Sequence, residues 1–152
     1  MASPPRALLG DLPTVAFVEA NVLLKALDPE ARHDLLALGE VQDYEPGELI
    51  AADSGDEKIY LVREGRTAVL LERGGVAVEV AVLERGAFFG EGRVLGEPVA
   101  GALVARTDAT VLAFPAPVLA ALAERFPRAR KLLEAIRTAR QKDAAQKLGA
   151  GA

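Results

Sequence analysis

At 152 residues and 16.0 kDa, with 51% hydrophobic and 26% charged residues, the chain has the size and composition of one folded domain able to bury its own core. It has no cysteine and one histidine, His33, which excludes disulfides, thiolate catalysis, cysteine-based metal sites and a multi-histidine metal centre within one chain. The net charge of −4 divides unevenly: residues 1–124 hold 10 Lys/Arg against 20 Asp/Glu and residues 125–152 hold 8 against 2, so an acidic body carries a basic tail suited to self-association or to an acidic partner.

Residues 1–14 are proline-rich and read as a flexible arm. Pro4, Pro5, Asp11, Pro13 and Glu19 break the apolar stretch that a signal peptide needs. The longest apolar run, 114–123, is far short of the ~20 residues of a spanning helix. No transmembrane segment is expected, and a cytoplasmic location is. Val15, Val18, Val22, Leu23, Ala26 and Leu27 then recur at helical spacing. Asp28-Pro29-Glu30 supplies an N-cap, a first-turn proline and a first-turn acid for a second helix, with Leu35, Leu36 and Leu38 apolar and Gly39 as its stop.

From Val41 to Phe114 the texture changes, and ten of the 14 glycines lie here. Gly47, Gly55, Gly65, Gly74 and Gly86 stand 8, 10, 9 and 12 residues apart, between β-branched runs, which predicts a small all-β barrel or sandwich. The predicted strands are 48–52, 58–63, 66–72, 75–83, 101–106 and 110–114, with a hairpin tip at Arg73-Gly74-Gly75. Val76, Val78, Val80 and Val82 recur with period two, which predicts a strand with one valine face. Asp53-Ser54-Gly55-Asp56-Glu57 reads as a turn, since a calcium loop needs a longer regular ligand spacing.

Pro115 and Pro117 close the β zone, and Pro117 starts a helix with Val118, Leu119, Leu122 and Phe126 on one side. Pro127 opens the last helix, whose apolar stripe is Leu132, Leu133, Ile136 and Ala139. Beyond Arg140 the stripe thins to alanines and Leu148, and residues 149–152 read as a frayed end. The basic residues of this helix are not interleaved with aromatics, so a base-stacking surface is not indicated.

One segment carries the chemistry: Leu83-Glu84-Arg85-Gly86-Ala87-Phe88-Phe89-Gly90-Glu91-Gly92-Arg93-Val94-Leu95. A strand ends, two aromatics enter the core, and Gly-Glu-Gly precedes a helical turn. Glycines let backbone approach a ligand, N–H groups at a helix start favour an anion, and Glu91 can accept from vicinal hydroxyls. The same residues also suit a mere tight corner with a solvated acid.

In order and spacing, the pieces of the chain resemble a known family. Leu27-Asp28-Pro29-Glu30 is followed by Tyr44-Glu45-Pro46-Gly47-Glu48-Leu49-Ile50, then by Gly55-Asp56 and Ile59-Tyr60-Leu61-Val62-Arg63-Glu64-Gly65-Arg66, then by Phe89-Gly90-Glu91. Over about residues 20–140 this is similar to the cyclic-nucleotide-binding domain of catabolite-activator (CRP/FNR-like) regulators, found also in kinase regulatory subunits and channels. The resemblance implies a mainly β fold, a jelly-roll-like double-stranded β-helix with N-terminal helices and a C-terminal helical pair. It places the domain at 15–140, with 141–152 as the end of the last helix. It also implies a ligand pocket at the phosphate-binding cassette, made by Phe89, Gly90, Glu91, Gly92, Arg93, Val94, Pro98, Val99 and Ala102.

The cassette departs from the family pattern. Val99 stands where the family has the arginine that pairs with the cyclic phosphate, and Ala102 where it has a serine or threonine. The stretch from Glu91 to Pro98 is also one residue shorter than usual. The expectation is a non-enzymatic, stand-alone regulatory module, degenerate for cyclic AMP and cyclic GMP, with no required cofactor. It would act through its C-terminal helix on a protein partner or a second copy, along a seam of Leu132, Ile136 and Ala139. Two alternatives stay open: a working sensor whose phosphate contact is rewired through Arg93 or Arg106, and a ligand-free scaffold that docks a partner on Val94, Leu95, Val99 and Leu103. No recognition helix follows the last helix in this sequence, so direct promoter reading is not expected.

Overall fold

The computed structural model describes residues 22–52, 57–96 and 101–150. The expected N-terminal arm, the first turns of the expected first helix, Asp53–Asp56 of the acidic turn, and Pro98 and Val99 lie outside the described residues.

Among the described residues two helices come first, α1 (Val22–Lys25) and α2 (Pro29–Ala37). Asp28 caps α2 as expected: its Oδ1 accepts from the Ala31 N–H at 2.7 Å. Eight strands follow among the described residues: β1 (Glu40–Tyr44), β2 (Leu49–Ala52), β3 (Lys58–Glu64), β4 (Thr67–Arg73), β5 (Val76–Leu83), β6 (Phe88–Phe89), β7 (Ala102–Ala105) and β8 (Ala109–Pro115). A one-turn helix α3 (Glu91–Val94) lies between β6 and β7, and α4 (Ala116–Arg125) and α5 (Pro127–Ala150) close the chain. The strands form two antiparallel four-stranded sheets, ordered β1-β8-β3-β6 and β2-β7-β4-β5. This is the β-roll with flanking helices implied by the sequence.

β3 and β8 of the first sheet are buried on both faces, which is why they read as nearly unbroken apolar runs. Ile59, Leu61, Leu112 and Phe114 point to the helices and pack with Leu23, Leu35, Leu119 and Leu133. Alternation sends Tyr60, Val62, Val111 and Ala113 to the other side, into the interior of the roll, where they meet Val69, Val80, Phe89 and Leu103. The roll therefore has two cores, one under the helices and one between the sheets.

Two features of the sequence resolve differently. β1 was not expected as a strand: only Val41 of its five residues is buried, and it holds its place by pairing with β8 from Glu40↔Ala113 to Tyr44↔Ala109. The even valines of β5 do not share one face. The register shifts between Val69↔Ala81 and Leu70↔Glu79, so Val80 is the extra residue of a β-bulge. Val80 and Leu83 are buried, while Val76 and Val82 are exposed.

Tyr44 gives the roll a pH-dependent element. Its hydroxyl donates to Gln42 Oε1 at 2.6 Å. Burial first, then the neighbouring Tyr60 and Glu48, push the phenol up to about 12 from its ordinary 10.0. A raised acid pKa favours the neutral phenol in the fold. Stability is thus intact below the unfolded value and falls as pH rises from about 10 to about 12. Urea unfolding across that window is expected to show a smaller loss for Tyr44→Phe than for the natural chain.

Candidate functional site

The cassette segment sits where β6 meets α3. β6 pairs with β3 through Tyr60↔Phe89 and Leu61↔Phe88, which sends the two aromatics to opposite sides. Phe88 joins the core under the helices and Phe89 the core of the roll. Gly90 follows with φ 102°, in the left-handed region. A Cβ there would lie 2.9 Å from the Lys58 carbonyl oxygen and 3.4 Å from Ile59 Cα. Glycine is therefore what allows the chain to turn this close to β3.

α3 is a single turn, Glu91–Val94, so its backbone dipole is small and the expected anion cradle has little to draw on from the helix itself. Val94 is buried and packs with Leu95 against the core under the helices. Leu103 is fully buried in the other core. These side chains face two different interiors, so the surface patch expected for a docking partner is not formed by them.

Neither arginine expected to rewire the phosphate contact is held ready for a ligand. Arg93 Nη1 donates to the Lys58 carbonyl at 2.8 Å and Nη2 to the Ala52 carbonyl at 2.6 Å. It ties α3 to the ends of β2 and β3. Arg106 Nε lies 3.4 Å from Glu79 Oε1 in a surface pair, with both side chains more than two-fifths exposed. Such a pair contributes about 0–1 kcal/mol. Ala102 opens β7 half-buried, where it alternates with buried Leu103 and Ala105.

Glu91 is where the sequence signal and the structure meet most closely. It is 9% exposed rather than solvated. Its Oε2 accepts from Arg140 Nη1 at 2.9 Å, and the same nitrogen donates to the Phe88 carbonyl. Burial lowers the Arg140 pKa, and the Glu91 carboxylate acts in the opposite direction through charge and hydrogen bonding. Arg140 was not singled out for this site. It lies 49 residues from Glu91 in the chain, and local spacing carries no trace of the contact.

The remainder of α5 divides in two. Ala129 and Leu133 are fully buried in the core under the helices, and Leu132 and Ile136 are partly buried against it. Of the expected seam, only Ala139 is exposed. Farther along, Ala144 and Leu148 pack against the core of the roll. His33 is exposed on α2. Among the described residues, no group of acidic and histidine side chains could hold a metal, and no helix is long and apolar enough to cross a membrane.

Comparison with known proteins agrees with this geometry. Residues 41–126 match the family described as Cyclic nucleotide-binding domain. A cAMP-dependent protein kinase regulatory subunit of Mucor circinelloides f. lusitanicus is 36% identical over 92 residues, 59% of this chain and 21% of that protein. The chain thus spans about a fifth of the length of this curated relative. The catabolite activator protein of Thermus thermophilus is 29% identical, with a TM-score of 0.65 over 84% of this chain and 62% of that one. The regulatory subunit of a cAMP-independent protein kinase A from Trypanosoma brucei, as a triple mutant bound to cAMP in its A site, has 18% identity and a TM-score of 0.72 over 91% of this chain and 50% of that one.

Proposed function

Since the chain belongs to the cyclic nucleotide-binding domain family, we propose that it is a non-enzymatic regulatory module, degenerate for cyclic AMP and cyclic GMP, that acts through its C-terminal helices on a protein partner. The state of the cassette carries this reading. Apolar Val99 and Ala102 stand at the phosphate-reading positions, and Glu91, the group suited to a ribose hydroxyl, is bound by the chain's own Arg140. A charge-assisted hydrogen bond contributes about 1.5–3 kcal/mol, so lack of the arginine alone weakens phosphate binding by roughly 10- to 150-fold. A sugar hydroxyl would further have to share Glu91 with a guanidinium that already holds its Oε2. The Trypanosoma brucei relative is the regulatory subunit of a kinase described as cAMP-independent, and one of the three substitutions in its cAMP-bound mutant introduces an arginine.

Calorimetric titration of the chain with cyclic AMP and with cyclic GMP is expected to show no saturable heat at micromolar ligand. A micromolar dissociation constant for either nucleotide overturns the proposal.

A further inference from the structure

The outward face of the second sheet lies outside both cores. Val69 and Leu71 of β4, Leu103 and Ala105 of β7, and Ala81 and Leu83 of β5 belong to the core of the roll. Alternation turns Ala68, Leu70, Val82, Ala102 and Val104 the other way, and none of these five packs into either core. The registers join them across all four strands. Leu49↔Val104, Ala68↔Val104 and Ala68↔Val82 make one row, and Leu70↔Ala102 and Leu70↔Glu79 make the next. A sheet with one face in water ordinarily carries polar residues on that face. Here the first row is apolar from end to end, with Leu49 58% and Val82 46% exposed at its two ends.

One ion pair crosses this face. Arg106 follows directly after β7, and its Nε meets Glu79 Oε1 of β5 at 3.4 Å. β4 lies between those two strands, so the pair spans it. The face thus holds apolar groups, one cation and one anion. A partner of a single charge sign would leave one member of the pair uncompensated once water is removed. A second copy, turned about a two-fold axis, offers a carboxylate to the guanidinium and a guanidinium to the carboxylate, and lays one apolar row on another. Four strands ~4.8 Å apart and about four residues at ~3.4 Å give the face roughly 250–300 Å². A standard stable interface takes about 800 Å² per partner, so association through this face alone is weak and needs high protein concentration.

From this geometry we infer that the outward face of the β2-β7-β4-β5 sheet is a self-association surface, on which a second copy of the chain packs sheet against sheet, with Arg106 of each copy meeting Glu79 of the other. The surface uses no residue of the cassette or of α5. The inference therefore goes beyond the proposed regulatory reading and does not depend on it.

Sedimentation equilibrium of the whole chain, from about 10 μM to about 1 mM, reads the association. The natural chain is expected to pass from monomer toward dimer over that range. Leu49→Glu changes an exposed residue of an edge strand. It is expected to weaken the dimer by about tenfold or more, since a two-fold dimer loses the contact twice. Arg106→Glu gathers two acids on each face and is expected to weaken the dimer comparably. Combining it with Glu79→Arg restores both signs and is expected to recover the natural constant to within about threefold. Ala139→Glu, at an exposed position of α5, is expected to change nothing. A natural chain that stays monomeric at about 1 mM overturns the inference. So does a dimer that is lost in Ala139→Glu and kept in Leu49→Glu, which places the contact on α5. A double charge exchange that fails to restore what Arg106→Glu removes overturns it as well. No nucleotide enters the measurement, so its failure is distinct from failure of the titrations with cyclic AMP and cyclic GMP.

Discussion

Val99→Arg combined with Ala102→Thr is expected to raise affinity for cyclic AMP or cyclic GMP by at least tenfold, from no detectable binding toward the micromolar range. The arginine carries most of the effect, because a charged partner for a phosphate is worth about 1.5–3 kcal/mol and a neutral hydroxyl only about 0.5–1.5 kcal/mol. The contribution of the hydroxyl is expected at the low end. Ala102 is the first residue of β7, half-buried and alternating with two inward residues, so a side chain there does not point straight into the roll. The single Val99→Arg variant should therefore recover nearly the whole gain of the pair. Adding Arg140→Gln should increase it again, since Glu91 is then released for the sugar. Calorimetry on the natural chain and these three variants checks the series. If the arginine variants bind no better than the natural chain, the defect lies in the shortened loop between Glu91 and Pro98 and not in the missing side chains.

The fold was largely legible because its strongest signals are local. β3, β4, β7 and β8 were placed to within a residue at each end, since apolar runs of the right length stand between glycine turns. β1 was not legible: Glu40, Gln42 and Asp43 carry no strand pattern, and only its pairing with β8 makes it a strand. The valines of β5 gave a true period and a false face, because a bulge at Val80 shifts the alternation and no sequence feature marks it. At the site, Gly90 and Glu91 were found from the glycine pattern and the family resemblance. The residue that Glu91 meets was not, because Arg140 reaches it through the packing angle of a helix fixed by Leu133. Read along the helix, Arg140 is one of several basic residues. Only the docked helix sets it apart from Lys142 and Lys147, which remain exposed.

The energetics of that contact yield the other large effect. Glu91→Ala is expected to destabilise the chain by more than Arg140→Met, and the double variant by clearly less than the sum. Burial lowers the Arg140 pKa, and Glu91 is the group that opposes the shift, so the guanidinium is poorly solvated where it lies. Removing Glu91 leaves a charge that cannot be neutralised, with the Phe88 carbonyl as its remaining contact shown here. Breaking a fully buried ion pair in this way costs about 3–5 kcal/mol. The two side chains here are 23% and 12% exposed, so the loss is expected lower, at about 2–3 kcal/mol for Glu91→Ala. Arg140→Met removes the charge that is costly to bury and keeps an unbranched apolar chain against the roll, which offsets part of the loss. Urea unfolding of the two single variants and the double variant gives the coupling, expected at about 1–2 kcal/mol. Additivity to within about 0.5 kcal/mol would mean that the guanidinium and the carboxylate do not depend on each other in solution. In that case the apolar contacts of Ala144 and Leu148, and not the ion pair, would hold the end of α5 against the roll.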